Sequence, residues 1–304
     1  MNQTLTANTG RVVAAYGNRG KLLLADGTTA RFLLKGRKLK PVCGDIVGWQ
    51  TADSGKELIL ESINERHNQL RRAGHKGAAD VLAANLDVLI VVMAAEPTPD
   101  FFLTDRYVAS AAAMGCEAIL VRNKTDIAGK RDEATETELV NYGKLGYGIV
   151  PTSTTRLEGI ERVSELLAGK TGMLVGQSGV GKSSLINALV PDAAVAVAEL
   201  SSSSLEGRHT TTASMMHALA ADGWLIDSPG VRDFLPYFGD VREVQAGFIE
   251  IDQAAHECRF ANCQHLREPS CAVKEGVENG NIMERRYESY KRLYHMVEDA
   301  QVSP

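Results

Sequence analysis

No apolar run in this sequence is long enough to cross a bilayer: the longest, Val88 to Ala95, falls far short of the roughly 20 residues a spanning helix needs. The opening stretch MNQTLTANTG has neither a basic start nor an apolar core, so no secretion signal is read there. A cytoplasmic protein with no membrane partner is expected. Internal repeats and heptad runs are also lacking, and a monomer is the expectation that follows. Cysteine is scarce, at five in 304 residues. An odd count without an export signal argues against a disulfide framework. Cys43 and Cys116 stand alone and read as packed thiols. Cys258, Cys263 and Cys271 crowd into one short segment beside a histidine, a pattern that favours metal.

The composition, 44% hydrophobic and 23% charged, is that of an ordinary globular protein, and the length suits two or three domains. The net charge of −5 first argues against a nucleic-acid partner, but it is unevenly spread. Residues 1–72 hold twelve Lys/Arg against six Asp/Glu, a net +6 that leaves about −11 for the remainder. A basic, RNA-facing end on an acidic body is the reading.

From Gly10 to Ile63, short β-rich runs (RVVAAY, KLLLA, TARFLL, DIVGWQ, ELILESI) alternate with Gly, Asp and Asn turns, and no helical period competes. This pattern suits a Greek-key barrel of the oligonucleotide-binding (OB) type, an SH3-like barrel being the alternative. Lys35 to Lys40 (KGRKLK) would form a basic loop on it. Arg71 to Ala84 reads as a linker. From Asp87, DVLIVVMAA, AILVRNKTD, YGIVPTS, GMLVGQSG and GWLIDSPG are strands ending in loops. Helical stretches at Thr104 to Met114, Glu158 to Leu167 and Lys182 to Leu189 are interleaved with them. Such alternation predicts a mostly parallel sheet with helices on both faces. After Phe234 the strands stop, and a terminal helix is expected over about Ile282 to Asp299. The fold class is therefore multidomain: an OB-type barrel at 1–72, an α/β nucleotide-binding domain at 73–235, and a zinc-binding α-helical module at 236–304.

The motif GQSGVGKS, comprising Gly176, Gln177, Ser178, Gly179, Val180, Gly181, Lys182 and Ser183, follows a strand and precedes a helix, with Ser184 next. Its glycines let successive backbone N–H groups turn inward on phosphate oxygens, and the helix N-terminus adds partial positive charge. Lys182 would reach the β and γ phosphates, and Ser183 would offer its hydroxyl to Mg2+. The base is read elsewhere, by Asn123, Lys124, Thr125 and Asp126 (NKTD). Asp126 can accept from guanine N1–H and the 2-amino group, whereas adenine offers neither donor. Asn123 would hold the other edge of the base and Lys124 would lie along its plane. Thr152 and Ser153, after the next strand, resemble a loop lining the base from the opposite side. At a further strand end, Asp227 suits a water-mediated contact to Mg2+ and the Gly230 N–H suits the γ-phosphate. Between these motifs, Ser201 to Thr212 reads as a switch loop that donates a threonine, Thr211, to Mg2+.

The motif order is permuted: NKTD precedes the phosphate loop, which precedes the threonine loop and then Asp227-Ser228-Pro229-Gly230. A permuted domain between an N-terminal barrel and a C-terminal Cys/His cluster closely resembles the small-ribosomal-subunit-dependent GTPase A (RsgA) family, over about Gly10 to Met296. The resemblance implies a bacterial GTPase, using GTP/GDP and Mg2+, that acts late in assembly of the small ribosomal subunit, is stimulated by that subunit and binds its rRNA. Three thiols and one imidazole in Cys258-x4-Cys263-x-His265-x5-Cys271 suit one closed, structural Zn2+. The family's spacing matches that ligand set, with His256 the alternative to His265. Val231 stands where many GTPases carry a water-orienting glutamine. His209, where the family pattern also has a histidine, is the substitute expected to be catalytic alongside Lys182. Two other readings fit the residues: a nucleic-acid-binding module holding GTP as a static ligand, and a phosphate-loop kinase or ATPase with an incidental NKTD.

Overall fold

The computed structural model describes residues 5–36, 38–52, 55, 57–73, 79–127, 132–190, 214–227 and 236–302. Five strands, β1 (Thr9–Tyr16), β2 (Arg19–Leu24), β3 (Thr29–Leu34), β4 (Ile46–Thr51) and β5 (Leu58–Ile63), form the first unit. Antiparallel pairs β1–β2, β2–β3 and β4–β5 are closed by β1–β4 and by the parallel pair β3–β5. This closed five-strand, OB-type order settles the alternative left open by the sequence pattern. Alternation along the strands turns Val12, Leu22, Phe32, Val47, Leu58 and Leu60 into the barrel's core.

The stretch expected to be a linker is instead a hairpin of β6 (Gln69–Ala73) and β7 (Ala79–Ala84). Its outward Arg71, Arg72 and Asp80 disguise the strand pattern, while Leu70 and Leu82 are buried. The partners that hold it lie far along the chain: Arg71 pairs with Glu243 at 2.9 Å and lies over the Tyr237 ring, and Arg72 bridges to Pro236.

The main sheet runs β10 (Gly148–Pro151), β9 (Glu117–Arg122), β8 (Val88–Met93), β11 (Thr171–Val175), β13 (Trp224–Asp227), β12 (Ser214–Ala218). All neighbours are parallel except β12, which is antiparallel to β13. The apolar run of β8 is buried on both faces. Leu89, Val91 and Met93 join a core under α1 (Phe101–Ala113) and α2 (Asp132–Lys144), and Val88, Ile90 and Val92 join one under α3 (Ile160–Leu166) and α4 (Lys182–Leu189). The other edge of β12 pairs with β1, Ala14 opposite Met215 and Ala15 opposite Ser214, so sheet and barrel share one continuous ribbon of strands.

The remaining helices, α5 (Val241–Gly247), α6 (Ile249–Ala255), α7 (Ala272–Glu278) and α8 (Glu284–Val302), pack on the outer side of α1 around Phe248, Tyr290 and Leu293. Because α1 is covered from both sides, even its polar Asp105, Arg106 and Ser110 are buried.

Candidate functional site

The carboxyl ends of β8, β9, β10, β11 and β13 open on one edge of the sheet, the position where parallel α/β folds bind ligands. The phosphate loop leaves β11, and α4 begins at Lys182, as its sequence pattern predicts. Two glycines are sterically required. Gly176 has φ of 139° and a Cβ there would collide with the Val92 carbonyl; Gly181 has φ of 95° and a Cβ would collide with the Asn123 amide. Val180 is buried and anchors the loop in the core, whereas Ser178, Gly179, Ser183 and Ser184 are exposed at its mouth. The Lys182 ammonium curls inside the loop and donates to the carbonyls of Gly176 at 2.5 Å and Gln177 at 2.7 Å.

NKTD lies directly against this loop. The Asn123 amide donates to the Val180 carbonyl at 2.9 Å and accepts from the Thr152 hydroxyl at 3.1 Å. Its side chain, expected on the base edge, thus ties the base loop to the phosphate loop. Lys124, with φ of 61°, donates to the Gly179 carbonyl at 2.7 Å and the Glu96 carbonyl at 3.0 Å. Thr125 bonds to the Thr152 carbonyl, and the Ser153 hydroxyl donates to Asp126 Oδ1 at 2.6 Å. That hydrogen bond, first among the causes, holds the Asp126 carboxyl below its ordinary range, with Arg156 acting in the same direction. The structure therefore brings together Asn123, Lys124, Thr125, Asp126, Thr152, Ser153 and the phosphate loop. Asp227 ends β13, two strands from β8 across β11. His209, Thr211, Gly230 and Val231 lie outside the described residues.

Sequence reasoning missed the loop after β8. The Glu96 carbonyl holds Lys124, Pro97 faces Gly179, and the Asp100 N–H donates to Gln177 Oε1 at 3.2 Å while its carboxylate caps α1 through Leu103 N–H. The signal was legible as Glu96-Pro97-Thr98-Pro99-Asp100 immediately behind an apolar strand.

In the C-terminal unit, the ligand atoms of Cys258, Cys263, His265 and Cys271 all lie within 4.8 Å of one another. His265 Nδ1 is 3.5 Å from both the Cys258 and Cys271 sulfurs, which are 3.9 Å apart. Tetrahedral zinc, at about 2.3 Å from sulfur and about 2.0 Å from nitrogen, spaces such atoms about 3.8 Å apart for two sulfurs and about 3.5 Å for sulfur and nitrogen. The donor set fits one four-coordinate ion. His265 Nε2 faces Gln245 Oε1 at 3.4 Å, the outer contact that orients a ligating imidazole. His256 is exposed and outside the cluster. Cys43 and Cys116 are buried thiols, each pushed up to about 12 by burial.

Comparison with known proteins agrees with this geometry. The family model described as RsgA GTPase matches residues 63–235. A protein of Chromohalobacter salexigens named small ribosomal subunit biogenesis GTPase RsgA is 39% identical over 252 residues, 83% of this chain and 74% of its own. One of the same name from Pseudomonas fluorescens is 36% identical over 96% of this chain and 86% of its own. Among solved structures, YjeQ from Thermotoga maritima superposes with a TM-score of 0.75 at 31% identity, covering 95% of this chain and 98% of that one. YloQ, described as a circularly permuted GTPase, gives 0.73 at 26% identity, with 98% of each chain covered.

Proposed function

Since this chain belongs to the RsgA GTPase family, we propose that it hydrolyses GTP to GDP and phosphate during late maturation of the small ribosomal subunit, with the subunit as both stimulator and partner. One observation carries the reading: Asn123 and Lys124, neighbours of Asp126, are hydrogen-bonded to the Val180 and Gly179 carbonyls, so one crevice serves base and phosphates together. Asp126, kept ionised by Ser153, accepts from guanine N1–H and the 2-amino group; adenine would leave it without donors. The loop N–H groups of Gly176 to Ser184 and the Lys182 ammonium take the phosphate oxygens, which replace the Gly176 and Gln177 carbonyls as lysine's partners. Ser183, Thr211 and, through water, Asp227 are the residues for Mg2+, which when bound offsets charge on the β and γ phosphates. Gly230 N–H serves the γ-phosphate. With Val231 unable to orient water, His209 takes that role once RNA docking brings it to the water.

The barrel, taken as residues 1–72, contacts rRNA through its net positive charge. Residues 73–235 form the GTPase domain. In the unit from 236 to 304, Cys258, Cys263, His265 and Cys271 hold one structural Zn2+. The protein works as a cytoplasmic monomer. GTP turnover by the purified chain, with and without isolated small subunits, tests the proposal: strong stimulation is expected, and equal rates overturn it. His209→Ala should abolish the stimulation and leave the basal rate. An excess of ATP should not compete.

A further inference from the structure

Beside the joint between barrel and main sheet lies a wide groove of about 580 Å³, bordered by Lys38, Lys40, Asn64, Arg66, His67 and Gln69. It lies between the β3–β4 loop and the tail that leaves β5, and none of its described lining residues belongs to the β1–β2 or β4–β5 loops with which OB barrels usually meet nucleic acid. Among the described residues, its lining holds cations and no carboxylate. The guanidinium of Arg66 is matched from beneath by the fully buried Asp45, at 2.7 Å and 2.8 Å, while a third hydrogen bond, from Val42 N–H, completes Asp45. Lys38 and Lys40 are exposed and form no ion pair among the described residues. Their ammonium groups are therefore open to an anionic ligand, above an Arg66 fixed in place by Asp45 and Gln69 Oε1.

We propose that this groove seats a stretch of RNA phosphodiester backbone, an inference that rests on the RNA-contacting part of the proposed function and gives it a location. Backbone contacts require cations and polar donors on an open track, which is what this lining offers. A protein partner would want apolar pockets for anchoring side chains, and among the described residues Ile63 is the one aliphatic side chain lining the groove. The groove also adjoins the joint itself: His67 N–H donates to Asn85 Oδ1, and the Asn68 amide clasps Leu86 on both its N–H, at 2.8 Å, and its carbonyl, at 2.7 Å. RNA seated here would brace the barrel against the nucleotide-binding sheet.

The test compares two full-length variants of equal charge loss, Lys38→Gln with Lys40→Gln in the groove, and Lys21→Gln with Arg31→Gln on the β2–β3 face. Binding to isolated small subunits and to a single-stranded uridine dodecamer is followed across salt concentration. The groove variant should bind about 10-fold more weakly at low salt, with the slope of log K against log salt reduced by about 1.4, the loss of two single-strand phosphate contacts. Basal GTP turnover should match the parent in both variants, which controls for folding. If the groove variant keeps the parent's affinity and slope, or the β2–β3 variant alone loses them, the groove is not the site, although RNA binding stands. If the parent binds neither RNA nor subunit, the broader reading falls and this one with it.

Discussion

Two charged centres lie on either side of α1 and are built from opposite materials. In the proposed nucleotide crevice, at the helix's N-terminal end, backbone carbonyls hold the cations: those of Gly176 and Gln177 accept from Lys182, those of Gly179 and Glu96 from Lys124. Five residues along the helix from Asp100, Asp105 sits in a buried ionic centre. It accepts from Arg285 at 2.6 Å, Arg286 at 2.7 Å and the Tyr142 hydroxyl at 2.6 Å, and Arg286 also reaches Glu250. A carbonyl can yield its cation to a phosphate oxygen at little cost, whereas a buried carboxylate cannot be exchanged for anything in solution. The kind of partner a charge keeps therefore separates the part that turns over ligand from the part that joins the C-terminal helices to the sheet.

The largest expected effect comes from the buried centre. Arg286 is completely buried and Glu250 nearly so, and Arg286→Met leaves the Glu250 carboxylate without its guanidinium. A loss of about 3–5 kcal/mol in unfolding free energy is expected, read by chemical denaturation, with GTP affinity of the folded fraction unchanged. A variant that kept its stability but lost nucleotide would reverse the roles of the two centres. On the other side, Lys182→Ala should cut turnover about 100- to 1000-fold, as for removal of one preorganised charge-stabilising donor. Its stability should fall by less than that of Arg286→Met in the same denaturation measurement, since water can replace the ammonium at the neutral Gly176 and Gln177 carbonyls.

The same contrast explains what could be read in advance. Ligand chemistry demands particular residue types in contiguous order, so the phosphate loop, NKTD and the Cys/His cluster were visible in the sequence, and α4 begins at the expected Lys182. The start of α1 was displaced by three residues because its cap, Asp100, closes the loop Glu96-Pro97-Thr98-Pro99-Asp100, whose turn residues were passed over in favour of the alanine-rich stretch behind them. The β6–β7 hairpin was hidden for a different reason: Arg71 is held by Glu243, 172 positions away, and reads locally as a solvated charge. Arg285 and Arg286 look equally solvated on a charged helix. Only the packing of α8 against α1 buries Arg286 and half-buries Arg285, and only tertiary pairing reveals that β12 joins the barrel through β1.

Within the crevice, the carboxylate proposed to read the base should obey ligand chemistry alone. Asp126→Asn exchanges an acceptor for a donor at the guanine edge, so GTP should weaken by about 1.5–3 kcal/mol, the scale of a hydrogen bond to a charged group. Xanthosine triphosphate, with the complementary oxygen, should gain. Competition between the two nucleotides for the purified chain measures both, and an unchanged preference would remove Asp126 from base reading.

The smallest effect falls on a side-chain contact within the crevice. Asp126 is a charged group there that accepts from a side chain, the Ser153 hydroxyl at 2.6 Å, itself fixed by Arg156 N–H at 3.2 Å. Ser153→Ala should weaken GTP by about 0.5–1.5 kcal/mol. Its signature is in the pH profile. A carboxyl held below its ordinary range stays ionised as pH falls and loses guanine only near its lowered value; without the hydroxyl it protonates at higher pH. Titrating fluorescent GDP binding downward from neutral pH should therefore show the acid limb of the variant displaced upward. An identical acid limb in both proteins would mean that Ser153 merely closes its loop, and that the carboxylate is poised by the backbone like the rest of the crevice.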